Sequence, residues 1–308
     1  MLVIVNARAD GGRAAARWER IRPLVLARLG PFQECMAPDR ERVRLSIEDA
    51  LARGERRFVA AGGDGTVNLV MTDLVEAASP AVLPEVTIGA IGLGSSNDFH
   101  KPRRDSLGGI PCRLDFADAI RHDVGRTVYV DAEGTNGVQH WLLNASVGTT
   151  AVGNWLYNRA TGVVGLLKRL SASLGMAGAA LLAVARHRCV PVVLEWEDGV
   201  REGVLLCNLG VVKNPHFTGV LKYDSPYEPA SGDFFVHLLE SASLWDTLVT
   251  LVRLARGRFA GRRTARTRRA RRLALESAVP FPVEGDGEIV LAQRVEFSLL
   301  PSTLAVCA

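Results

Sequence analysis

Two domains of different class are predicted: an α/β domain built on a parallel sheet over residues 1–125, and a mainly antiparallel β domain over 126–308, with a return of its last strands to the first domain left open. Up to about Gly125, short apolar runs alternate with helical periodicities; beyond it, apolar runs follow one another with few helices between. The third observation is a glycine-rich string, Gly62-Gly63-Asp64-Gly65-Thr66-Val67-Asn68, joining an apolar run to a helical one.

The first half pairs strand Leu2–Val5 with helix Arg13–Leu29, Phe32–Met36 with Asp39–Gly54, and Phe58–Ala61 with Thr66–Ala78, before a last strand, Val86–Ile91. In the second helix Val43, Ile47, Ala50 and Leu51 fall on one face. Repeats of this kind give a parallel sheet covered on both sides, with ligands at the carboxyl ends of its strands. Asn6 and the glycine string sit at such ends. In the second half strands are expected at Thr127–Asp131, Val138–Ala145, Val190–Trp196, Val204–Leu209, Phe234–Leu239, Arg272–Leu275, Ile289–Leu291 and Val295–Leu299. Helical insertions interrupt them at Thr161–Arg186 and Leu244–Ala255. The apolar part of the first, Ser171–Ala185, is shorter than the roughly 20 residues a membrane span needs.

A strand that turns through glycines into a helix leaves backbone N–H groups facing outward, which suits a phosphate. Asp64 in that cradle would repel a bare anion, so a divalent cation, Mg²⁺ by preference, is expected to travel with the phosphate. A plain strand-to-helix turn also uses Gly and Asp. A second polar loop, Gly92-Leu93-Gly94-Ser95-Ser96-Asn97-Asp98-Phe99, follows the next strand, and an acidic run, Glu284-Gly285-Asp286-Gly287-Glu288, comes late in the chain. Alone, each reads equally well as turn chemistry.

The string at 62–68 resembles the nucleotide-binding motif of the diacylglycerol kinase catalytic-domain family, which includes sphingosine and ceramide kinases. NAD kinases and phosphofructokinases share its Gly-Gly-Asp-Gly core; the Val67-Asn68 ending leans towards the lipid kinases. The loop at 94–99 is similar to that family's Pro-x-Gly-Thr-x-Asn-Asp-Phe, with Gly92 for the proline and Ser95 for the threonine, and the family's Asp-Gly-Glu stands intact at 286–288. The resemblance implies an NAD kinase- and phosphofructokinase-like nucleotide domain, a second domain that is a β-sandwich, and an active site in the cleft between them. It implies ATP held by Asn6, Gly62, Gly63, Asp64, Gly65, Thr66, Asn68, Gly94, Ser95 and Asn97. Asp64 and Asp98 would hold Mg²⁺, and Asp286 or Glu288 would accept the proton, roles that are exchangeable with Asp64. Two departures stand out. Met36-Ala37-Pro38 offers no nucleotide-contacting threonine, and Ser231, in Glu228–Phe234, stands where bacterial relatives have an acid for a structural Mg²⁺.

Composition agrees with a globular chain of two cored domains: 308 residues, 48% hydrophobic and 23% charged. The N-terminus, Met1–Asn6, reads as a strand and not a signal peptide, which points to the cytoplasm. Five scattered cysteines suggest neither a zinc site nor a disulfide frame, and six histidines form no ligand spacing. Between Arg256 and Arg272 lie nine arginines and no acid, after an apolar helix face; this reads as a dock for the anionic inner membrane surface. Nucleic acid is not expected, because stacking aromatics are missing apart from Phe259. A homodimer is compatible with the sequence. The expectation is an ATP-dependent kinase of a diacylglycerol-like or sphingoid/ceramide-like lipid, with an NAD kinase-like phosphotransferase and a catalytically silent lipid-binding regulator as rivals.

Overall fold

The computed structural model describes residues 1–36, 39–102, 105–159, 161–186 and 188–308, so Ala37, Pro38 and His187, on which two of the expectations above fall, lie outside the described residues. The chain divides into two compact units, Met1–Val124 with Pro301–Ala308, and Gly125–Leu300.

The first unit runs β1 (Leu2–Val5), α1 (Arg13–Leu29), β2 (Gln33–Cys35), α2 (Arg40–Ala52), β3 (Arg57–Gly62), α3 (Asp64–Ala77), β4 (Thr87–Gly92), β5 (Ser106–Leu107), β6 (Ile110–Arg113) and the start of β7 (Ile120–Asp131). β2, β1, β3 and β4 form a parallel sheet in that order, with Val5 beside Ala61 and Gly62 beside Gly92. This is the predicted α/β domain. Both faces of β1, β3 and β4 are buried, as continuous apolar runs require in a helix-covered sheet. Val3, Val59 and Ile91 pack with Trp18 and Ile21 of α1. At the head of α2 the Asp39 side chain accepts the amide of Arg42 (2.9 Å), which ends the preceding loop one residue before the helix.

The second unit continues β7 and adds β8 (Asn136–Trp141), β9 (Asn144–Gly148), α4 (Thr149–Arg159), α5 (Gly162–Leu170), α6 (Ala172–Ala185), β10 (Val190–Trp196), β11 (Arg201–Val212), β12 (His216–Phe217), β13 (Leu221–Lys222), β14 (Phe234–Glu240), α7 (Leu244–Leu254), β15 (Ala265–Ala270), β16 (Leu273–Gly285) and β17 (Glu288–Val306). Its strands β15, β14, β11, β10, β16 and β17 lie in that order, antiparallel throughout. The long strands β11 and β16 share β10 at one end and β9 at the other. Irregularities at Leu206/Asn208 and Glu276/Phe281 bend those ladders, so the sheet curves around Trp141, Trp196, Phe234, Phe281 and Phe297. This is the mainly antiparallel β-rich second domain.

Four sequence expectations are corrected here. Val138–Ala145 is two strands, broken at Leu142-Leu143. The two runs Ile289–Leu291 and Val295–Leu299 are one strand, β17, whose last residues belong to the first unit, where Ala305 and Val306 pair with Thr87 and Ile88 of β4. The arginine run contains β15, whose Arg266 pairs with Glu240 on the neighbouring strand β14 and with Glu202 on β11. Finally, Cys189 and Cys207 form a disulfide. Val190 is opposite Leu206 in the β10–β11 ladder, so the residues flanking that pair face each other, a proximity that linear spacing does not reveal.

Candidate functional site

In the first unit, two strand ends deliver the predicted loops side by side. Gly63 and Gly94 are in backbone contact: a Cβ on Gly94 would lie 2.4 Å from the Gly63 Cα, so no other residue fits there without separating the loops. At Gly62 a Cβ would meet the Thr66 hydroxyl at 2.2 Å, and that hydroxyl accepts a hydrogen bond from the Asn6 side-chain amide (3.0 Å). Asn6, Gly62 and Thr66 thus form one joint at the ends of β1 and β3. Thr66 and Asn68 are buried, while Gly65 and Ser95 are exposed, with open space over Gly65. Gly65 stands at the start of α3, where first-turn N–H groups have no partner within the helix, and Ser95 in the loop after β4.

Asn97 organises the second loop. It adopts a left-handed backbone (φ 50°), accepts the Gly94 amide (3.1 Å), and donates to the carbonyls of Gly92 (3.1 Å) and Gly94 (2.9 Å). Asp64 then ties the two loops together, its carboxylate accepting the amides of Asp98 (3.1 Å) and Phe99 (2.9 Å). Asp98 is buried and ion-paired with Lys101. If Mg²⁺ arrives with a triphosphate, Asp64 and Asp98 are the carboxylates on these adjoining loops that would hold it, the rest of its shell coming from phosphate oxygens and water. Burial of His100 beside these loops, aided by the Arg113 guanidinium, pulls its pKa down to about 3, which leaves a neutral packing ring.

In the second unit, Asp286-Gly287 is the two-residue turn between β16 and β17, both residues at positive φ (45° and 99°). The Asp286 carboxylate accepts the amides of Leu142 (2.6 Å), Leu143 (3.1 Å) and Asn144 (3.1 Å). That clamp is why the strand predicted over Val138–Ala145 breaks where it does. Glu288, the other residue named from sequence, is exposed at the head of β17. Two residues before Asp286, and overlooked in sequence, Glu284 is buried. It accepts the Ser146 hydroxyl and the Gly287 amide (both 2.6 Å), and burial pushes its pKa up to about 7. The Asn154 side chain also hydrogen-bonds to it. In sequence Glu284 appeared only as the first member of the acidic run, and strand parity did not mark it, because the core-facing residues here are Phe281 and Val283.

Asn154 also lines a cavity of about 430 Å³ between α4, α6, α7 and β12–β13. Thr149, Thr150, Asn154, Tyr157 and Thr218 supply polar groups, and the rest is apolar, including Met176, Val184 and Leu251.

At the implied structural-metal loop, a protein cation is already present. The buried Lys213 ammonium donates to the Ser231 hydroxyl (3.0 Å) and the Asp233 carbonyl (2.8 Å), while the Asp233 carboxylate pairs with Arg269 (2.7 Å). The residues therefore do not fit a divalent ion here. Five of the nine arginines between Arg256 and Arg272 are ion-paired in this structure. Arg262, Arg266, Arg268, Arg269 and Arg272 have Asp246, Glu202, Asp198, Glu228 and Glu296 among their partners.

The class is that of an α/β domain with two glycine loops at its strand ends, followed by a β-rich unit that carries a largely apolar cavity. Residues 1–121 match the family described as the diacylglycerol kinase catalytic domain. A protein described as "Probable lipid kinase YegS-like" from Klebsiella pneumoniae (strain 342) is 37% identical over 91 residues, a match spanning 29% of this chain and only 27% of that protein. Among solved structures, a diacylglycerol kinase from Bacillus anthracis str. Sterne superposes with a TM-score of 0.70 at 15% identity, covering 99% of this chain and 95% of the other. A second chain from the same organism gives 0.75 at 16% identity, covering 99% and 96%. These two likenesses extend the shared fold over both units.

Proposed function

We propose that the protein is an ATP-dependent lipid kinase acting at the inner membrane surface on the hydroxyl of a diacylglycerol-like or sphingoid/ceramide-like lipid. The observation that carries this reading is the cavity in the second unit. Its lining is nearly all apolar, which suits an acyl chain and would strip a charged dinucleotide of its water without replacing the lost hydrogen bonds. That argues against an NAD kinase-like activity.

In this reading the nucleotide phosphates are held by the first unit. Backbone N–H groups around Gly63, Gly65 and Ser95 orient the triphosphate, and Asp64 and Asp98 hold Mg²⁺, which when bound neutralises charge on the phosphate oxygens. The lipid hydroxyl oxygen forms a bond to the γ-phosphorus as the bond to the β,γ-bridging oxygen breaks, and ADP leaves. The hydroxyl proton passes to a carboxylate of the 284–288 turn. Asp286 is committed to its amide clamp, so Glu284 and Glu288 are the better acceptors, and Glu284 has the affinity for a proton that a base at neutral pH requires.

Labelled ATP incubated with total membrane lipid, and separately with NAD, tests the proposal. A labelled lipid separated by chromatography is expected. Label in NADP alone, or Mg-ATP binding with no product from any lipid, would overturn it.

A further inference from the structure

The surface over the cavity is not dressed for water. On α5, Val163, Leu166 and Leu170 recur on one helical face and are 71%, 61% and 72% exposed. On α6 and α7, Leu181 and Val252 line the cavity and are themselves more than half exposed, so the apolar surface continues from outside into the cavity mouth. Trp245, at the first turn of α7, is 71% exposed. Large contiguous apolar surfaces on a soluble unit mark contact sites.

The charge of the helical insertion has one sign, and Asp246, the acid in the first turn of α7, is ion-paired with Arg262. From Gly134 to Leu194 the sequence contains no Asp or Glu, and Arg169, Arg186 and Arg188 are exposed there. Lys168 is drawn inward over the Tyr157 ring (4.0 Å) and donates to the Tyr157 carbonyl (3.1 Å), which leaves the outer face of α5 apolar. A second copy of the chain is a poor occupant, because a two-fold contact would set arginines against arginines. An anionic bilayer satisfies all three features: apolar ridges enter the acyl boundary, arginines meet the headgroups, and tryptophan sits at the interface.

We infer that α5, the outer face of α6 and the N-terminus of α7 form the membrane-docking surface, and that the cavity opens into the bilayer through it, so that lipid enters without crossing water. This deepens the lipid-kinase reading and moves the dock from the arginine run, five of whose nine charges are spent on ion pairs, to the helical insertion.

The test is sedimentation with phosphatidylcholine vesicles, with and without phosphatidylglycerol, in the absence of ATP. The wild type is expected to bind the anionic vesicles at least about tenfold more tightly, and Leu166→Glu/Leu170→Glu to lose at least about tenfold of that binding. Both side chains are exposed, so folding is expected to persist; an independent Arg169→Glu/Arg186→Glu variant is expected to lose the preference for anionic lipid. Wild-type binding by both variants, absence of vesicle binding by the wild type, or a dimer in sedimentation velocity that Leu166→Glu/Leu170→Glu dissociates would each overturn the inference. Vesicle binding is read without catalysis, so a failure of the kinase assay leaves this result independent. Phosphorylation of a short-chain, monomeric diacylglycerol by the variant would show that docking alone had been removed.

Discussion

The Asp64 carboxylate accepts the backbone amide of Asp98, and through this bond one acidic loop positions the other. The residue that the family resemblance assigns to the metal is also the clasp between the two nucleotide loops. Its loss therefore disturbs geometry as well as charge.

Asp64→Asn and Asp64→Ala are expected to lower turnover by at least about 10², the scale of a lost acid–base or metal-holding group. A steady-state assay with saturating lipid reads this; near-normal turnover in both variants would remove Asp64 from the chemistry.

Gly94→Ala is expected to raise the dissociation constant for Mg-ATP by at least about tenfold, because the new methyl lies 2.4 Å from the Gly63 Cα and parts the loops. Isothermal titration with a non-hydrolysable ATP analogue measures it. Gly65→Ala meets open space, so a matching loss there would point to a different cause.

Asp286→Ala should cost both stability and turnover. It leaves the amides of Leu142, Leu143 and Asn144 without their acceptor, at roughly 1–3 kcal/mol for each group that water cannot reach. Urea unfolding at neutral pH is expected to show the loss. An unchanged midpoint would deny the clamp.

Glu284 sets a pH dependence whose sign follows from its raised pKa. The folded state holds this proton up to about pH 7, whereas an unfolded carboxyl releases it near 4.5. The contribution to stability is therefore complete below about 4.5 and is lost as pH rises through 7. Glu284→Gln should gain stability relative to wild type above pH 7, by about 1–3 kcal/mol, and the difference should vanish in acid. His100 and His237, held neutral by burial with pKa values near 3 and 4, lose stability as pH falls below their ordinary 6.5, but equally in both proteins, so the difference isolates Glu284. The same variant should lower turnover at pH 7 if Glu284 accepts the hydroxyl proton.

Lys213→Met is expected to destabilise the second unit by about 1–3 kcal/mol, through the lost donors to Ser231 and the Asp233 carbonyl. A chelator should leave the wild-type melting temperature unchanged in the absence of nucleotide. A fall on chelation would mean that a divalent ion, and not the lysine, holds this loop.

Much of this protein is written in local pattern. The parallel sheet, its helices and the glycine loops were legible because apolar periodicity and turn chemistry act over a few residues, and 62–68 and 94–99 carry their own backbone requirements. Tertiary structure decided the rest, through contacts between residues far apart in the chain. Asp286 broke a predicted strand by recruiting amides more than 140 positions away. The arginines that looked like a membrane dock found acids on Asp198, Glu202 and Glu228, and Cys189 met Cys207 across a ladder. A sequence announces the charge a residue carries and the backbone shape it prefers; whether that charge reaches water or a neighbour depends on strand register and burial, which arise only when the chain closes on itself.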